Sequence, residues 1–133
     1  MRWLLLVVAV VAVGSPGGAA AAWAKIGSGS ANAKAKALGA GNVPTGSVSG
    51  HKVTVSWAAS SYTNGGSPAG YLINRYNAST GVLQTIGANC SGTIAVLTCT
   101  ENGVPSGSWK YSVTPATANW RGAESAKSAT VTV

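Results

Sequence analysis

The chain has 133 residues, a formal net charge of +7 and only 8% charged residues, against roughly 25% in ordinary soluble domains. Five Trp and a 46% apolar content argue against a disordered chain, because that much apolar surface can offset the entropy of folding. Long runs of good helix formers are missing, which excludes a large helical enzyme.

In chain order, the first segment reads as an export signal. Met1-Arg2 is a minimal positive start, Trp3 to Val13 is an unbroken apolar run, and Gly14-Ser15-Pro16-Gly17-Gly18 breaks any helix before the small residues Ala19 to Ala22. That order is the pattern of a secretory signal peptide over 1–24. Small side chains at −3 and −1 fit cleavage after Ala22 or after Ala24. The competing reading is an uncleaved anchor, since the uncharged stretch 3–24 has the length to span a bilayer. A membrane partner follows only in that case. Residues 25–41 then form a Lys/Gly/Ala/Ser linker that carries Lys25, Lys34 and Lys36 and has too few large side chains to fold alone. Such a segment is a solvated spacer or dwells near anionic cell-wall polymers or headgroups.

From residue 42 on, turn signals recur every eight to fifteen residues between short runs rich in Val, Thr, Tyr and Trp. The expected fold class is all-β, a seven-stranded sandwich over 42–133. The strands are expected near 43–48, 52–58, 70–77, 82–86, 93–100, 109–114 and 129–133. In the second, Val53, Val55 and Trp57 alternate with Lys52, Thr54 and Ser56, which puts one apolar set inward. Trp57, Tyr71, Trp109 and Tyr111 are the expected large core residues. Asn64-Gly65-Gly66 marks a polar loop over 60–69. Cys90 and Cys99 are an even, closely spaced pair. In an exported chain they are expected as a structural disulfide.

These residues resemble a family. Val53-Thr54-Val55-Ser56-Trp57, the Gly-Gly-Ser-Pro loop before Gly70-Tyr71, and Val104-Pro105-Ser106-Gly107 before Tyr111 stand in the order found in fibronectin type III domains. Asn119, Gly122 and Ser125 also match that family's spacing past Tyr111. The resemblance implies an immunoglobulin-like sandwich in which the Tyr111 hydroxyl bonds back to upstream backbone, a tyrosine corner. It departs from the family in the Gly107–Tyr111 stretch, one residue longer than usual, and in the cysteine pair. The exported layout and the Ala/Gly-rich composition are similar to small secreted proteins of high-GC Gram-positive bacteria.

Function is less legible. Asp is absent, and only Glu101, Glu124 and His51 accompany the cysteines as candidates for acid–base work. Glu101 and Glu124 are expected in different turns or loops, so they do not suggest a carboxylate pair. His51, at the start of a strand and without an evident acid partner, is expected to face solvent. No enzyme activity, cofactor or metal site is expected. Lys and Arg are scattered, which argues against nucleic acid.

The resemblance brings the loops 60–69 and 115–125 to one pole, with Tyr62, Trp120 and Arg121 as candidate binding residues for a cell-wall polysaccharide or a surface protein. Two placements stand open for Trp120: exposed in such a site, or folded back as satellite core. Trp109, in register with Tyr111, belongs to the core. The expectation is an extracellular or cell-surface monomer, a non-catalytic interaction module. The alternatives are a structural spacer without a site and an accessory module of an extracellular polysaccharide-degrading system.

Overall fold

A computed structural model describes residues 37–133; the expected signal peptide and most of the linker lie outside the described residues. The alternation seen in the sequence sets the two layers. β1 (Thr45–Ser49), β2 (Lys52–Ser56) and β5 (Thr98–Asn102) form one antiparallel sheet in the order β1-β2-β5. The second sheet is also antiparallel and runs β4-β3-β6-β7, from β3 (Gly70–Asn77), β4 (Leu83–Gln84), β6 (Ser108–Thr117) and β7 (Trp120–Arg121). β8 (Val131–Thr132) lies beside the first residues of β6. Gly50, at φ +59°, lets a two-residue turn close the β1–β2 hairpin.

Every second residue points between the sheets. From β2 come Val53 and Val55, with Trp57 just beyond; from β3, Tyr71 and Ile73; from β6, Trp109, Tyr111 and Val113; and all are buried. Trp57 meets Tyr71 edge-on at 5.6 Å between ring centroids, a preferred aromatic geometry. The Tyr71 hydroxyl accepts the Ser60 N–H at 2.9 Å, so its polar end is satisfied. Cys90 and Cys99 form a disulfide with both residues buried.

Several strand limits differ from expectation, each for a physical reason. The fifth strand runs 98–102 rather than 93–100, because Ile94 crosses to pair with Tyr71 of the other sheet. The fourth shrinks to Leu83–Gln84. Just beyond it, the Thr85 carbonyl is taken by Arg75 and the Gly87 N–H by Glu101.

The sixth strand extends to Thr117, where the short β7, not expected from the sequence, folds back onto it. The last strand splits. Between β7 and β8, Ser125 and Ser128 take over the pairing: each donates its N–H to a β6 carbonyl (Val113, Tyr111) and accepts the N–H of that same residue on its Oγ. Residues 37–41, expected as the end of the linker, are bound into the sandwich. Gly39 N–H donates to Ser61 O, Gly41 N–H to Ala123 O, and Leu38 bridges to Tyr62.

Candidate functional site

The end of the sandwich where β2 finishes and β3 begins gathers the three expected binding residues. Ala69 N–H and the Tyr62 hydroxyl both donate to Thr117 Oγ1, at 2.9 and 2.7 Å. One threonine thus ties the 60–69 loop to the end of β6. The loop itself is tightened by Tyr62 N–H to Gly66 O and Gly65 N–H to Tyr62 O. Thr117 pairs directly with Trp120 across a two-residue turn. Directly paired residues share a face of the ribbon, so Trp120 emerges on the side where Tyr62 is held.

Of the two placements open for Trp120, the structure has the exposed one, at 63% of its surface. Arg121 curls back onto its own hairpin. Its Nη1 donates to Ala118 O at 2.7 Å and Trp120 O at 3.0 Å. Its Nη2 and Nε make no hydrogen bond to a described residue. Gly122 makes the close approach behind it possible, since a Cβ there would stand 2.2 Å from Gly39 O and 3.3 Å from Leu38 Cγ.

A second constellation, missed in the sequence, lies inside the sandwich. Arg75 and Glu101 are both buried and form an ion pair at 2.7 Å. Glu101 is therefore not in a turn. It is the residue of β5 that faces the core opposite Val53. Its Oε1 also accepts Gly87 N–H at 2.7 Å, and its Oε2 accepts the Tyr111 hydroxyl at 2.9 Å. Arg75 gives Nη2 to Thr85 O and lies over the Trp109 ring at 4.8 Å.

The tyrosine-corner expectation is corrected here. Tyr111 points to a carboxylate, and the bond back to upstream backbone is made by Trp109, whose Nε1–H donates to Pro105 O at 2.9 Å. Burial, then the adjacent Glu101, push the Tyr111 phenol well above its ordinary value. The missed signal was parity. Arg75 follows Tyr71 and Ile73 at period two, and Glu101 follows Cys99.

The remaining titratable groups are committed elsewhere. Glu124 sits on the outer face of β3 and β6, where Oε1 accepts Tyr76 Oη at 2.5 Å, Asn74 Nδ2 at 3.4 Å and the Ser112 hydroxyl. Partial burial pulls its pKa up. The hydrogen bonds from Ser112, Tyr76 and Asn74 and the Lys127 charge outweigh that and leave it below the ordinary carboxylate value. His51 is exposed in the β1–β2 turn and its Nδ1–H donates to Val104 O at 3.0 Å. Among the described residues no group of three His, Cys, Asp or Glu could hold a metal. A groove of about 350 Å³ between β1 and β8, lined by residues 43–46 and 129–131, contains no ionisable side chain. The arrangement at this end therefore offers an exposed indole and a guanidinium with a free edge.

No protein-family model matches the chain, and no curated protein matches it either. Among solved structures it is similar to "Titin kinase and its flanking domains", with a TM-score of 0.60 and 15% identity over 73% of this chain and 17% of that one. The chain thus spans about a sixth of that structure. The likeness carries the architecture and nothing of the kinase: the fold is an immunoglobulin-like β-sandwich. No helix of the described residues is long and apolar enough to cross a membrane.

Proposed function

We propose that this chain is an exported, non-catalytic module of fibronectin type III type, which binds an extracellular or cell-surface partner through the end carrying Tyr62, Trp120 and Arg121. The observation that carries this reading is Trp120. A large aromatic side chain 63% exposed, on a hairpin fixed through Thr117 to a neighbouring loop, leaves most of its apolar surface in water. Aromatic and Arg side chains so placed are the usual anchors of recognition. Export is supported by the leader pattern over 1–24 and by the disulfide, which persists in oxidising compartments. The lack of catalysis is supported by Glu101, whose two oxygens are both engaged inside the core.

The test is co-sedimentation of the purified chain with cell-wall sacculi and insoluble polysaccharides, beside a Trp120→Ala variant of equal melting temperature. Retention that the variant loses is the expected result. Retention equal in both overturns the assignment of the site to this end, and none in either supports the spacer reading instead.

A further inference from the structure

Resting on that binding reading, we infer that the ligand of this end is an acidic polysaccharide, its sugar ring on the Trp120 indole and its anionic group on Arg121. Charge supplies the first argument. The chain's two carboxylate side chains are both elsewhere: Glu101 is sealed in the core, and Glu124 is bound on the outer sheet face. The C-terminal residue pairs with Gly107, at the far end of β6 from Thr117. Arg121 consequently has no counter-ion among the described residues.

Arg121 is also pre-oriented. Two backbone carbonyls fix Nη1, and the free edge of Nη2 and Nε matches the two oxygens of a carboxylate.

The second argument is the kind of surface. A protein partner ordinarily covers about 800 Å² on each side around an apolar centre. Here the other exposed apolar residues do not surround Trp120. Val96 and Leu97 precede β5, the edge of the first sheet that adjoins residues 87–90. β7 belongs to the opposite edge, on the side where β1 meets β8. Val43 lies beside Ala129, farther down that side. A single-stranded nucleic acid would need successive stacking platforms along a cationic groove; this end presents one. One flat indole with an adjacent anion-binding edge suits a sugar ring bearing a carboxylate.

The experiment is binding of the purified chain to immobilised polygalacturonate at about 0.15 M salt. Pullulan serves as a neutral polysaccharide, poly-L-glutamate as an anion without sugar, and an oligothymidylate as a stacking polyanion. Binding to polygalacturonate alone is expected. Trp120→Ala should weaken it at least about tenfold, and Arg121→Gln should weaken it several-fold and flatten its salt dependence. Both variants should melt with the wild type.

Equal binding to poly-L-glutamate or oligothymidylate, or binding indifferent to Trp120, overturns the inference. Pullulan bound as well as polygalacturonate and lost in Trp120→Ala also overturns it, while leaving the binding module standing. So does failure on every soluble polymer when sacculi are still retained through Trp120. If sacculi are not retained either, both readings fall.

Discussion

The molecule contains two Arg–Trp neighbourhoods, and they are opposites. Arg75 lies over Trp109 inside the sandwich, with its charge met by Glu101 and its second amino group by Thr85 O. Arg121 follows Trp120 on an exposed hairpin, held by two carbonyls and met by no carboxylate. The same residue types thus serve cohesion in one place and leave unused bonding capacity in the other. What separates them is burial and a carboxylate partner, not composition. A desolvated guanidinium must have its charge answered, whereas a solvated one can stay open to a ligand.

The sharpest way to break that contrast is to unpair the buried side. Glu101→Ala strands Arg75 in the core and takes an acceptor from both Tyr111 and Gly87. A loss of about 3–5 kcal/mol is expected in urea unfolding. A loss below about 1 kcal/mol would mean that water reaches the pair and that the two arginines do not differ in kind.

The disulfide comes next. Cys90 and Cys99 close a loop of about ten residues, for which the chain-entropy model gives about 2.5–3 kcal/mol. Replacing both by Ser should lower stability by that amount or more, since both sites are buried. Gly87, which donates to Glu101, stands just before the 88–90 turn that ends in Cys90, so part of the loss should vanish in a Glu101→Ala background, and a double-mutant cycle measures that coupling.

The architecture and most strands were legible because one face of each is buried, and burial writes period two into the sequence. Val53, Val55 and Trp57 are the plain case. The charged core was not legible because Arg75 and Glu101 obey that same period with polar side chains, and a reading based on apolar residues does not count them as core. The Tyr62–Trp120 end was legible as a loop cluster through family resemblance. Its construction was not, since it rests on Thr117 and Leu38, residue types that carry no motif, and on a hairpin turn without Gly.

Titration separates the buried cluster from the outer face of β3 and β6 more gently. Tyr111 and Tyr76 are both raised in the folded chain, Tyr111 by burial and then Glu101, Tyr76 by burial and then its bond to Glu124. A raised pKa contributes stability that is present below the unfolded value and lost as pH rises. Stability should therefore fall above about pH 10, where unfolded phenols ionise. Tyr111→Phe should flatten that limb while costing about 1–3 kcal/mol at neutral pH, because Glu101 Oε2 loses its donor. Glu124 has the opposite sign: its lowered pKa contributes stability above the ordinary carboxylate value, lost as pH falls below it. Glu124→Gln should flatten only the acid limb. Thermal melts from acid to alkaline pH read both.

The smallest expected effect lies at the exposed arginine's own turn and has the reverse sign. The β1–β2 and β6–β7 hairpins each close over two residues whose first has positive φ. In one it is Gly50 at +59°, and in the other Ala118 at +48°, the one non-glycine in that region among the described residues. An Ala there carries a steric cost that Gly does not. Ala118→Gly should therefore stabilise by about 0.5–1 kcal/mol after the extra freedom of the unfolded glycine is subtracted. Ala118 O is also one of the two carbonyls that fix Arg121. If the variant melts higher yet binds polygalacturonate more weakly, the strained alanine is what stiffens the hairpin and aims Trp120 and Arg121 outward. If it melts higher and binds as before, Thr117 and Tyr62 hold that end by themselves, and the alanine is a tolerated strain rather than part of the site.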